Sequence, residues 1–165
     1  VLVPRHPERF ARVATLAKRY DLSVVRHSEA PTTSVDADVY LGDTMGDLPT
    51  LYAGSDVAFV GGSLVDVGGH NVLEPAALGL PVLIGPHIRN FADISERLVA
   101  AGAAKFVLNE TDFAAVLEQW LKDANLRHAS GQQGLPFVES NRGAVARTVE
   151  CVAQMLGGTV NPRKE

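Results

Sequence analysis

Two glycine pairs, Gly61-Gly62 and Gly68-Gly69, lie close together and lead directly into His70, Asn71 and then Glu74. Glycine permits φ > 0 and lets a ligand approach the main chain with no Cβ in the way. A helix start beyond such a turn offers N–H groups to an anion, and a carboxylate one turn in can accept hydrogen bonds from vicinal ribose hydroxyls. The chemistry these residues suggest is therefore an anion site, a phosphate with a ribose beside it. Each Gly pair also fits an ordinary tight turn, and a first-turn Glu also favours the helix dipole. Arg5 adds a cation whose planar fork suits phosphate or carboxylate, although it equally suits a solvated surface. His6, His70 and His87 stand near these residues but lack the spacing of a metal-ligand set such as H-E-x-x-H. Capping or loop hydrogen bonding is their expected role, and His27 and His128 follow no pattern.

Positioning these residues requires a scaffold whose loops converge. Short apolar runs alternate with segments of helical period, the pattern of a parallel sheet with helices on its faces. The runs are Val1 to Val3, Leu22 to Val25, Asp38 to Leu41, Asp56 to Val60, Pro81 to Ile84 and Ala104 to Leu108. Pro7 suits a first helical turn, with Phe10, Val13, Ala14 and Ala17 forming one buried stripe. Further helices are expected over about Asp47 to Ala53, Leu73 to Leu78 and Phe91 to Ala101, where Phe91, Ile94 and Leu98 share a face. Thr111 is the expected N-cap of a helix carrying Phe113, Val116, Leu117, Trp120 and Leu121 on one side. A last helix should run from Gly143 to Leu156, with Val145, Val149, Val152 and Leu156 inward and Gly157-Gly158 ending it. Ser28 to Asp36 reads as a surface loop. One domain over 1–157 and a loose tail over 158–165 complete the expected organisation.

In open α/β sheets, ligands sit beyond the carboxyl ends of the strands. Pro4-Arg5-His6-Pro7, Gly42 to Asp47, both Gly pairs and Gly85-Pro86-His87 all fall at such ends. Together they make one rim.

The 165 residues are 46% hydrophobic and 21% charged, with a net charge of -4. A chain of this size buries roughly two thirds of its unfolded surface and needs no disulfide or metal staple. The acidic balance argues against a dedicated nucleic-acid binder, so any anionic ligand must be held locally. Cys151 is the single cysteine, which excludes an intramolecular disulfide or a cysteine zinc cage and is consistent with a reducing compartment. No apolar run approaches the roughly 20 residues that span a bilayer. The strand-like start at Val1, without Met or signal peptide, leads us to expect a piece of a longer protein.

The P-loop, G-x-S-x-G and first-strand G-x-G-x-x-G templates are all missing. The rim instead resembles the C-terminal half of the 3-deoxy-D-manno-octulosonic acid (Kdo) transferases of lipopolysaccharide synthesis. The resemblance is carried by VPRHPERF at Val3 to Phe10, GDTMGDL at Gly42 to Leu48, VAFVGGSLV at Val57 to Val65, GGHNVLEPAALGLPVLIGPH at Gly68 to His87 and NFADI at Asn90 to Ile94. It extends to about Leu156. It implies one Rossmann-like half of a GT-B glycosyltransferase, the half that binds the donor CMP-Kdo without a metal or other cofactor. The donor contacts it implies are Pro4 and Arg5, then Met45, Gly46 and Asp47, then Asn71, Val72, Leu73 and Glu74. Asp47 stands where the family usually has Glu, and Val72 where it usually has Pro.

The resemblance also implies that the general base is a Glu of an N-terminal domain. With that domain would come the acceptor site for a lipid A precursor and an anchor at the cytoplasmic face of the inner membrane. On this reading the present chain carries no catalytic residue and is inactive alone. Two other readings fit the residues: a GT-B domain using a UDP-sugar, and a non-catalytic nucleotide-binding α/β module.

Overall fold

The computed structural model describes residues 1–29 and 36–155. Each expected apolar run contributes to a parallel sheet. The strands are β1 (Val24–Arg26), β2 (Val39–Leu41), β3 (Ala58–Val60), β4 (Val82–Ile84) and β5 (Ala104–Phe106). The first run contributes a single parallel bridge, Leu2 to Leu41. β1 pairs with β2, and β3, β4 and β5 pair in that order, all parallel. Val39 N–H bonds to Ser23 on one flank of β2, whereas Tyr40 O and Gly42 N–H bond to Leu2 on the other. The segment leading to Arg5 is thereby fixed beside the end of β2.

The helices are α1 (Phe10–Arg19), α2 (Leu48–Ala53), α3 (Leu73–Ala76), α4 (Ala92–Ala100), α5 (Glu110–Lys122), α6 (Ala124–Asn141) and α7 (Ala144–Met155). A 3-10 turn over Pro7–Arg9 opens α1, as expected of a proline with preset φ. β4 shows why the sheet is covered on both faces. Val82 and Ile84 join a core with Val72, Ala76 and Leu98, whereas Leu83 packs with Val107 and Trp120 in a second cluster. Alternate side chains of a strand point to opposite faces, so both faces are dry here. Among the described residues, no helix is long and apolar enough to cross a membrane.

Four expectations need correction. The cap of α5 is Asn109, whose side chain accepts from Asp112 N–H, so the helix begins ahead of Thr111. On α5 Trp120 is fully buried while Leu121 is exposed, because the helix presents a narrower stripe to the sheet than its apolar pattern suggests. On α7, Val149 and Val152 are exposed rather than inward. Periodicity identifies an apolar face but does not supply a covering element. The fourth correction is α6, which was not expected at all. Gly131, Gly134 and Pro136 read as breakers, yet an ideal Cβ at Gly131 would lie 2.0 Å from Gly79 O, and one at Gly134 would lie 2.7 Å from Ala76 O. These glycines let α6 lie directly against the backbone that follows α3.

Leu156, Gly157-Gly158 and the 158–165 tail lie outside the described residues, as does most of the Ser28 to Asp36 segment. Its first two residues, Ser28 and Glu29, close a 3-10 turn with His27.

Candidate functional site

The turn from Gly61 to Gly69 is shaped by backbone that side chains disfavour. Gly62, Gly68 and Gly69 adopt φ of 70°, 102° and 74°. Gly69 N–H bonds to Gly62 O at 3.0 Å and closes the turn. Buried Ser63 then ties it to the end of β4, donating to Val60 O and accepting from Gly85 N–H at 2.8 Å. His87 N–H bonds to Ser63 O at 2.9 Å. The loops after β3 and β4 therefore form one unit.

That unit presents His70 to Arg5. Arg5 Nη1 donates to His70 Nδ1 at 3.1 Å. Burial, followed by the Arg5 guanidinium and the nearby His6, holds the imidazole below its usual 6.5, so it is neutral near pH 7 and can accept this bond. With Nδ1 accepting, the ring proton sits on Nε2. Among the described residues, no carboxylate lies within ion-pair distance of Arg5, so its charge is oriented but not neutralised. This separates Arg5 from an ordinary solvated cation. Pro4, half-buried, precedes it.

Next to His70, Asn71 links two groups. Its Oδ1 accepts from Leu73 N–H at 3.0 Å, and its Nδ2 donates to Glu74 Oε1 at 3.0 Å. Glu74 is exposed and held in place by this bond, whereas Val72 is buried under the turn. α3 is a single turn, shorter than the expected Leu73 to Leu78, and its Leu73 N–H is already occupied. The helix start consequently offers less to an anion than the sequence suggested, and more of the electrostatics falls to Arg5. Tyr52 on α2 lies near enough to feel Glu74: burial, then that carboxylate, raises its hydroxyl above the usual 10.0.

The turn before α2 is held from a side that spacing did not reveal. Gly46 has φ 94°, Met45 is exposed and Asp47 stands just ahead of Leu48. Ser28 donates from N and Oγ to the two oxygens of Asp43 at 2.9 and 2.8 Å, with Arg26 at 3.7 Å. Burial pushes this carboxyl up, but the two Ser28 bonds together with its own backbone N–H and Arg26 more than offset that and hold it below 3.8. The sign follows directly. A carboxyl lowered on folding contributes stability that is present above its unfolded value and is lost as pH falls through the folded one. Between pH 5 and pH 2 the melting temperature of the wild type should therefore fall further than that of Asp43→Asn, read by thermal melts across the range. Equal slopes would contradict this placement.

The structure thus joins Pro4-Arg5 to the Asn71–Glu74 stretch through His70. Among the described residues, no hydrogen bond joins Met45–Asp47 to that stretch; the two share the rim through α2 and Tyr52. His27, Ser28 and Tyr40 were not anticipated here, and Asp43 was placed on the rim without its Ser28 and Arg26 partners. Also among the described residues, no group of three His, Cys, Asp or Glu side chains could hold a metal ion.

Comparison with known proteins bears on this arrangement. The family described as glycosyl transferases group 1 matches residues 18–135. The 3-deoxy-D-manno-octulosonic acid transferase of Haemophilus influenzae is 40% identical over 157 residues, 94% of this chain and 37% of that enzyme. The enzyme of the same name from Bordetella pertussis is 37% identical over 161 residues, 95% of this chain and 37% of its own length. The crystal structure of the C-terminal CMP-Kdo binding domain of WaaA from Acinetobacter baumannii superposes with a TM-score of 0.77 at 33% identity, covering 84% of this chain and 73% of that one. The chain belongs to the Kdo transferase family of group 1 glycosyltransferases. Its fold is that of the C-terminal domain of such a GT-B enzyme. It spans little more than a third of the length of the two Kdo transferases just named. Relative to the family pattern, the acidic member of the Met-Gly-acid turn is Asp47, one methylene shorter than Glu, and Val72, in place of Pro, is buried with its side chain in the core beside Val82 and Ile84.

Proposed function

We propose that this chain is the donor-binding domain of a transferase that moves Kdo from CMP-Kdo to a lipid A precursor. The observation that carries the reading is the Arg5 to His70 bond. It brings an unneutralised guanidinium to the stretch where Asn71 holds Glu74, so one cation and one carboxylate stand ready for a phosphate and a ribose. The similar domain from Acinetobacter baumannii is described as binding CMP-Kdo, which supplies the ligand class.

In this account the donor contacts are Pro4, Arg5, Met45, Gly46, Asp47, Asn71, Val72, Leu73 and Glu74. Arg5 stabilises negative charge growing on the phosphate as CMP departs, an interaction stronger in the transition state than in the ground state. Glu74 accepts from the ribose hydroxyls and fixes the sugar's orientation. The turn at Met45 to Asp47 faces the base. The acceptor hydroxyl is deprotonated by a Glu of the N-terminal domain, which also brings the lipid acceptor and the anchor at the cytoplasmic face of the inner membrane.

The chain alone should therefore bind CMP and transfer nothing. Calorimetric titration with CMP, paired with an assay of Kdo transfer to a lipid A precursor, reads both halves. Absence of CMP binding would remove the donor-site reading. Transfer by the chain alone would place the base within it, contrary to this account.

A further inference from the structure

Asp47 immediately precedes α2, a position where an Asp side chain commonly caps the helix, yet it makes no capping bond. Its carboxylate instead faces His27, whose Nε2 lies 3.7 Å from Asp47 Oδ2. The His27 ring is itself anchored, with Nδ1 2.7 Å from the Tyr40 hydroxyl and the two rings packed edge to face at 5.7 Å. Tyr40 belongs to β2 between the buried Val39 and Leu41, so the anchor is rigid. Nδ1 is engaged by the Tyr40 hydroxyl, so the opposite ring nitrogen, Nε2, is the one that faces the Asp47 carboxylate. The same 3-10 turn grips the start of this loop through Ser28 and Asp43, whose side chain is only 4% exposed.

We infer that His27 is a positioning residue for base specificity, holding the Asp47 carboxylate aimed at the exocyclic amine of a cytosine. This rests on the proposal that the Met45 to Asp47 turn faces the donor base. A carboxylate accepts from the amino group of cytosine, whereas uracil presents a carbonyl oxygen at the same position and is repelled. Asp has one rotatable bond fewer than Glu, so a fixed neighbour can set its direction at little entropic cost.

The test is a double-mutant cycle on the whole chain, with CMP and UMP titrated against wild type, His27→Ala, Asp47→Asn and the pair. His27→Ala should weaken CMP about tenfold and leave UMP nearly unchanged, the size expected for one directed base contact. In the Asp47→Asn background the same change should have no further effect, because His27 acts through that carboxylate. His27→Gln, whose amide N–H can still reach Asp47, should recover part of the loss. Equal weakening of CMP and UMP, or fully additive effects, would overturn the inference. If His27→Ala loses its cooperative melt, Tyr40→Phe removes only the hydroxyl that orients the ring and must reproduce the loss of preference. Wild type that fails to bind CMP would sink the donor-site reading itself. Wild type that binds CMP, with the preference intact in both His27→Ala and Tyr40→Phe, would sink this inference alone.

Discussion

Arg5→Ala should lower the affinity of the domain for CMP by about thirtyfold, with the folded state unaffected. The guanidinium is exposed and, among the described residues, makes one hydrogen bond, to a neutral imidazole, so its removal leaves no buried charge and costs within about 0.5 kcal/mol of stability. A charge-assisted hydrogen bond to a phosphate contributes about 1.5–3 kcal/mol, and its loss gives a decrease of one to two orders of magnitude. Arg5→Lys should recover little of this. An ammonium is a compact point charge that cannot both rest on His70 and present a planar fork to two phosphate oxygens. Calorimetry of the three proteins, with thermal melts to verify folding, reads the effect. Unchanged affinity in Arg5→Ala would remove the phosphate from this corner of the rim.

The largest stability effect is expected at a residue remote from the rim. Gly131→Ala places a methyl carbon 2.0 Å from Gly79 O and 2.9 Å from Gly79 C, both backbone atoms that cannot turn aside. Within a helix the same change contributes up to about 1 kcal/mol of favourable propensity. Moving α6 off its contact with the α3 to β4 connection costs more, about 3 kcal/mol, the upper end of the usual cost of overpacking a close contact. The net should be a melting temperature lower by about 5–10 °C. Gly54→Ala is the matched control, because its added carbon would meet nothing nearer than 3.9 Å at an ordinary φ of -91°. Its melting temperature should stay within a degree or two of wild type. A neutral Gly131→Ala would mean that α6 does not pack where the structure puts it.

These two sites mark what could and could not be read in the residues. Arg5 was visible because Pro4 and Pro7 bracket it at the end of an apolar run, where an α/β sheet collects its ligands. The strands were visible for the same reason: apolar runs bounded by Gly, Pro, Asn and Asp have few alternatives. α6 was hidden because Gly131, Gly134 and Pro136 resemble breakers, and only the backbone opposite them reveals that two of these positions must lack a side chain. His27 was hidden differently. It meets Tyr40 and Asp47 across separate strand ends, and no spacing within the chain encodes that meeting. On α7 the apolar pattern of Val149 and Val152 was real, but burial depends on a partner surface that the pattern does not describe. The helix start at Asn71 was anticipated, whereas the occupation of Leu73 N–H by the Asn71 side chain was not, and that occupation shifts the anion's support toward Arg5.

The resulting account is of a mildly acidic domain that holds an anion with one oriented cation. His70 is kept neutral by burial and by the neighbouring Arg5, so at the Arg5 to His70 bond the positive charge sits on the guanidinium. With one oriented cation for phosphate and Glu74 held by Asn71 for the ribose, the account assigns the rim a nucleoside monophosphate leaving group rather than a diphosphate. Competition on a single sample tests this claim most directly: the chain is saturated with CMP and titrated with UDP, with bound CMP followed by ligand-observed NMR. The account predicts that CMP remains bound while UDP is added in large excess. Displacement of CMP by UDP at comparable concentration would contradict it and assign the rim to a different class of sugar nucleotide.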